Sequence, residues 1–248
     1  MNTQVRLSDN IELISPEMTP AIETLYARLL RMNLKHIAIC SPNRACGNST
    51  LAWLLARRAA MAGQQVLLID FNLQSPTLHQ LARCERPEWL PLDDSWQNAV
   101  QHCETLESLS LLTCPEEFSH HIEFHNPVTL QTFFESCRTR YDLVLCDLPP
   151  LLNPQEESIP ADILCAASQG TLLNIASGIT TESEADEVRD ILRQSGAHLS
   201  AVVMNDRFTP GLKQELIRET YRLERVFPRW MPRLRKRLDK MTLLNQDL

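Results

Sequence analysis

Along the chain, short apolar runs alternate with stretches of helical period. Residues 36–40, 65–70 (QVLLID) and 142–147 (DLVLCD) are near-continuous apolar runs and predict strands. Residues 109–113 are a weaker candidate, and 171–176 and 199–205 are two more. Helical spacing predicts helices over 49 to about 62, over 128–138 and over about 181–194. Strands apolar on both faces and separated by helices predict a doubly wound α/β fold with a mostly parallel sheet and right-handed crossovers. Residues 84–107 are polar, carry Trp89 and Trp96 and show no period, which predicts an insertion on the sheet rim. Past Phe208 the sheet pattern stops. The expected organisation is an N-terminal extension over 1–20, a core domain over 21–210 and a tail over 211–248.

Composition narrows this picture in three places. A chain of 248 residues with 44% apolar and 22% charged residues is not disordered throughout. It has six glycines where about seventeen are usual at this length, so any phosphate loop works with little glycine. The eight cysteines form no C-x-x-C pair, which favours reduced cytosolic thiols over a zinc module or disulfide framework. Residues 1–10 are polar and predict no signal peptide. No apolar run reaches the length of about 18 residues that a membrane span needs.

The net charge of −7 is uneven. From Tyr221 to the end, eight basic and three acidic residues carry +5, leaving −12 on the rest. An acidic body disfavours nucleic acid, whereas a basic tail points to a local partner or a lipid surface.

Residues 36–60 read HIAIC-SPNRACGNST-LAWLLARRAA, a strand–loop–helix order. A P-loop, GxxxxGK[ST], uses this order so that backbone N–H groups and the helix N-terminus hold phosphates. Here Gly47-Asn48-Ser49-Thr50 stands where Gly-Lys-Ser-Thr would. Two further segments follow in order: QVLLIDFNLQSPTLHQL over 65–81, and YDLVLCDLPPLL over 141–152, an apolar strand ending in Asp147 like a Walker B strand.

With these three segments the chain resembles the bacterial tyrosine kinases of polysaccharide export, within the wider MinD/ParA group of P-loop ATPases. Their pattern is SPxPGEGKST, then VLLIDADLRRPSLH, then YDxVIIDTPP. The resemblance covers roughly residues 22–205 and implies a P-loop fold that binds ATP or ADP with Mg²⁺. It implies a nucleotide site over Arg44, Gly47, Asn48, Ser49 and Thr50, with Ser49, Asp70 and Asp147 at the metal, and Asp70 and Asp147 catalytic if the site is active. AVVMN at 201–205 is similar to the family's GVVLN, whose asparagine contacts the adenine, so Asn205 takes that place. The helix before the first strand is similar to EAYRTLRTNL, whose E-x-x-R-x-x-R set assembles a ring. Arg28 and Arg31 match its arginines; Leu25 replaces its glutamate, with Glu23 nearby.

Departures from the pattern carry the functional reading. Asn48 is short and neutral and cannot neutralise β/γ-phosphates or the charge that builds in phosphoryl transfer. Ala45 replaces a flexible position and is expected to resist positive φ. The family's D-x-D becomes Asp70-Phe71-Asn72. Autophosphorylating members also end in a tyrosine cluster, whereas this sequence has only Tyr26, Tyr141 and Tyr221. Three readings stay open: an inactive descendant kept for interaction, a nucleotide binder in which Arg44 supplies charge, and a working ATPase or kinase. The first implies an accessory component of an inner-membrane complex for exopolysaccharide, capsule, biofilm or cellulose synthesis or export. That protein would be cytoplasmic or peripheral at the inner membrane, as a homodimer or hetero-oligomer. The rival is a MinD/ParA-type ATPase that localises a complex by nucleotide-dependent dimerisation.

Other candidates weigh less. His120, His121, Glu123 and His125 cluster after the third strand with no cysteine partner and read as a solvated loop rather than a metal site. Cys46 reads as a small inert loop residue rather than a reactive thiol. Cys40, Cys146 and Cys165 read as core thiols, and Pro149-Pro150 as a loop-fixing pair. In the tail, Leu234, Leu238 and Met241 recur at helical spacing beneath Arg233, Arg235, Lys236, Arg237 and Lys240, with Phe227 and Trp230 upstream. Such a helix lies on an anionic membrane, docks a partner or packs on its own domain.

Overall fold

The computed structural model describes residues 19–92, 94–116, 122–154 and 158–206. The chain divides into two compact units, one of residues 1–175 with 180–205 and one of 176–179 with 206–248. In the second, the described residues are 176–179 and 206, where the Ser177 hydroxyl donates to Asp206 at 2.6 Å. The tail residues Trp230, Leu234, Arg235, Lys236, Arg237, Leu238 and Met241 lie outside the described residues.

The elements run α1 (Thr19–Met32), β1 (His36–Cys40), α2 (Asn48–Met61), β2 (Val66–Asp70), α3 (Leu78–Ala82), β3 (Gln101–Cys103), β4 (Leu106–Leu112), α4 (Pro127–Arg140), β5 (Leu143–Asp147), α5 (Ala161–Ala167), β6 (Gly170–Ala176), α6 (Glu182–Ser195) and β7 (Leu199–Asn205). They form a seven-stranded sheet in the order β3-β4-β2-β5-β1-β6-β7. The pairs around β1 and β2 are parallel, while β3 pairs antiparallel with β4 at the edge.

The strands alternate between two cores, as the two-residue period of a strand requires. Ala38, Cys40, Leu67, Ile69, Val144 and Cys146 face one core, with α4, α5 and α6. Ile37, Ile39, Val66, Leu68, Leu143 and Leu145 face the other, with α1 and α2. Local chemistry sets the helix ends. Asn126 caps α4 by accepting from the Val128 and Thr129 N–H groups, with Pro127 next to it, and Thr181 and Glu184 form a capping box on α6.

Two features differ from expectation. The polar segment over 84–107 supplies the edge strand and also fills the core: Trp96 is fully buried, and Trp89 is buried with its indole N–H donating to Thr113 O at 2.7 Å. Its irregular spacing reflects a 3-10 turn, Ser95–Ala99, which carries no α or β period. Outer strand β7 is half exposed, with Val202 and Met204 open to solvent, where the apolar run alone suggested burial. His36 opens β1 with its ring 3.7 Å from that of Phe134, and burial pushes its imidazole down to about 3, so it is neutral at neutral pH.

Candidate functional site

The loop 41–47 leaves the C-terminal end of β1, which sits mid-sheet between β5 and β6. In doubly wound sheets this end of the strands forms the binding crevice. Gly47 enters α2 at φ 90, and no side chain caps that helix N-terminus. A Cβ on Gly47 would lie 2.5 Å from Asn205 Nδ2, so glycine is required twice, for its backbone angle and for space.

Ala45 does not resist positive φ: the structure holds it at φ 60. Its neighbours fix the turn. Asn43 Nδ2 donates to Glu184 Oε1 at 2.8 Å, Arg44 donates to Gln74, and Cys46 O accepts two side-chain amides. Such over-determination keeps an alanine where it costs roughly 1–2 kcal/mol. Ala45→Gly is therefore expected to raise the unfolding free energy by about 0.5–1 kcal/mol and Ala45→Val to lower it, read from denaturant midpoints.

Asn48, at the lysine position, is folded inward and buried. Its Nδ2 donates to Ser41 Oγ at 2.9 Å and to Leu148 O at 3.4 Å. Its Oδ1 accepts from Asn174 Nδ2 at 3.1 Å, and the Ser41 hydroxyl passes on to Asn43 O at 2.8 Å. The side chain is thus consumed by the loop itself. After Pro149-Pro150 the chain is stitched back onto the loop, with Leu151 N–H donating to Ser41 O at 2.9 Å and Leu152 N–H to Pro42 O at 3.0 Å.

Beside the loop stands an acid pair. Asp70 and Asp147 end β2 and β5 directly opposite one another in register. Asp70 accepts from the Asn72 N–H at 2.9 Å and the Leu78 N–H at 3.4 Å. Burial lifts its pKa to about 6, against the pull of those N–H groups and of Arg86. Burial also lifts Asp147 well above the carboxylate range, and the nearby Asp70 charge adds to it. Neither Asp147 oxygen has a hydrogen-bond partner of ordinary geometry, although the Ser49 hydroxyl approaches closely enough to oppose the shift. Two buried carboxylates, one of them with both oxygens unpartnered, beside a serine hydroxyl fit a hydrated divalent cation. Ser49 and Thr50 are half-buried on the first turn of α2.

The remaining candidates fall elsewhere. Arg44 is exposed and engaged by Gln74. Arg28 and Arg31 are exposed on α1, whereas Leu25 is buried in the core and Glu23 is paired with Arg58. Cys46, Cys40, Cys146 and Cys165 are buried thiols. His120 and His121 lie outside the described residues, and among the described residues no group of three metal-ligating side chains gathers. No described helix is long and apolar enough to cross a membrane. Asn174 escaped the sequence reading; its signal was an amide inside an otherwise apolar strand, GTLLNIA.

No family profile matches the chain. It is 30% identical over 183 residues to the tyrosine-protein kinase YwqD of Bacillus subtilis (strain 168), covering 70% of this chain and 73% of that protein. Among solved structures it is similar to the chimerical protein CapA2B2, with TM-score 0.67 and 22% identity over 78% of this chain and 86% of that one. It is also similar to the septum site-determining protein MinD of Pyrococcus horikoshii OT3, solved with Mg-ADP, with TM-score 0.57 and 19% identity over 70% and 71%. These structural likenesses establish the P-loop α/β fold.

Proposed function

Because the chain belongs to the family of bacterial tyrosine-protein kinases, we propose that it is a member that has given up phosphoryl transfer and acts through protein contacts in exopolysaccharide biosynthesis or export. The observation that carries this is Asn48. A lysine there would place a mobile cation against β/γ-phosphates, whereas the asparagine amide is neutral and spent on Ser41, Leu148 and Asn174. Phosphoryl transfer rests on positioning and charge neutralisation, so this replacement removes a main contributor. Arg44 does not compensate in this arrangement, because Gln74 holds it.

The acid pair supports a narrower second reading. Ser49, Asp70 and Asp147 would hold Mg²⁺, which supplies charge neutralisation at a bound phosphate, and Gly47, Ser49 and Thr50 would present the loop and the helix N-terminus to a nucleotide. A nucleotide-dependent dimer of the MinD/ParA kind would then localise a complex without fast turnover, with Asn205 near the base and Arg28 and Arg31 at a subunit contact. In either reading the basic tail is the segment offered to a membrane surface or an inner-membrane partner.

The test is phosphate release and autophosphorylation by the purified chain with Mg-ATP. No turnover above a protein-free control is expected. Hydrolysis at an ordinary P-loop rate that Ser49→Ala or Asp147→Ala abolishes would sink the non-catalytic reading. Mass measured by light scattering with and without Mg-ATP separates the two: an ATP-dependent dimer favours the second.

A further inference from the structure

One backbone carbonyl of the loop receives two side-chain amides. Asn174 on β6 and Asn205 at the end of β7 each donate from Nδ2 to Cys46 O at 2.9 Å. The amide ends are not interchangeable, since only a donor can face a backbone carbonyl. Asn174 is 1% exposed, and its own Oδ1 has no hydrogen-bond partner. A buried amide left half-satisfied costs stability, which points to a task beyond packing.

A trans peptide is planar, so a C=O and the N–H that follows it point in opposite directions. Anchoring Cys46 O toward Asn174 and Asn205 therefore aims the Gly47 N–H away from them. Rotating this peptide would break both bonds. Gly47, at φ 90 and without a Cβ, is the residue whose backbone would otherwise permit such a rotation. Asn174 also donates to Asn48 Oδ1, so the same side chain fixes the loop on either side of Gly47.

We propose that Asn174 and Asn205 are positioning residues that lock the Cys46–Gly47 peptide, so that the loop keeps one set of N–H directions with no ligand bound. An anion meeting the loop then finds the Gly47 N–H already aimed, and its binding does not have to order the turn. This stands whether or not the chain hydrolyses ATP.

The experiment is nuclear magnetic resonance on the full chain without nucleotide, comparing wild type with Asn205→Leu, Asn174→Leu and the double variant. Wild type is expected to give one sharp Gly47 amide resonance with flat relaxation dispersion. Each single variant is expected to shift that resonance and to raise the minor loop conformer roughly tenfold, as loss of one hydrogen bond would, with a larger effect in the double variant. Amides of β1 and β5 should keep their wild-type shifts and exchange rates. Asn205 is only part-buried, so Asn205→Leu carries the test if Asn174→Leu does not fold. An unmoved Gly47 resonance in Asn205→Leu overturns the proposal. Loosening spread evenly over β1 and β5 overturns it too, because the role would then be general packing.

Discussion

Asp147→Asn is expected to raise the unfolding free energy at pH 8 by about 2 kcal/mol, the scale of relieving one buried, unpartnered charged group. The wild-type carboxylate is fully buried, has no hydrogen-bond partner of ordinary geometry and stands opposite Asp70. An amide of the same shape has no charge to bury, and it presents donors rather than a second negative charge to Asp70. Little hydrogen bonding is lost in the exchange, which distinguishes this position from Asp70, whose oxygens are held by two backbone N–H groups.

The pH dependence sharpens this prediction. Asp147 holds its proton more tightly when folded than when unfolded. Over the interval between its unfolded and folded pKa values the native state therefore binds more protons, and stability falls as pH rises. Asp70 acts in the same direction between its unfolded value and about 6. His36 acts oppositely, because its folded pKa of about 3 lies below its unfolded value and its burial favours folding as pH rises through that window. The acid range therefore mixes opposing slopes; Asp147 adds to the fall above its unfolded value, and toward the thiol range Cys84, Cys114, Cys137 and Cys146, whose thiols burial also raises, add a fall of their own. Denaturation at several pH values should show a shallower fall of stability with rising pH in Asp147→Asn than in wild type, the difference being the share of Asp147. Saturating Mg²⁺ should stabilise wild type at pH 8 and leave the variant unmoved, since only binding to the native state shifts the equilibrium. A variant less stable than wild type at pH 8 would show that the carboxylate is a net structural asset.

What the sequence disclosed follows from where burial writes a period. Strands β1, β2 and β5 are buried on both faces, so their apolar runs are unbroken and their limits fell within a residue or two. The phosphate loop was legible because its motif is contiguous. Asn48 could be recognised as the wrong residue for a P-loop, but its inward turn could not be foreseen, since its partners Asn174, on β6, and Leu148, just past β5, lie far away in the chain. Ala45 was misjudged for the same reason: local propensity disfavours its angle, and tertiary bonds from Glu184 and Gln74 override it. Helix α5 spans only Ala161–Ala167, too short to display a repeat.

The largest single loss is expected at Trp96, the residue whose surroundings in the sequence pointed to the surface. Trp96→Ala should cost about 3–5 kcal/mol, the range for emptying a large buried aromatic site. Trp96 is fully buried and meets Phe133 edge-on at 5.5 Å between ring centroids. Phe133 in turn stacks on Trp89 at 5.6 Å, and Trp89 meets Phe124 at 5.1 Å. The ring cluster joins the segment before β3 to α4, so the cavity would open where α4 packs rather than at a free rim. The Trp96 indole N–H has no hydrogen-bond partner, so its removal forfeits packing and transfer free energy alone. Trp96→Phe should accordingly recover much of the loss. Trp89→Phe should recover less against Trp89→Ala, because phenylalanine cannot donate to Thr113 O. Met61→Ala, at an exposed site on α2, sets the baseline and should shift stability by no more than about 0.5 kcal/mol. Chemical denaturation of the four tryptophan variants beside Met61→Ala decides the matter. A Trp96→Ala cost near that baseline would return this segment to the rim; a cost of several kcal/mol places it in the core that α4, α5 and α6 cover.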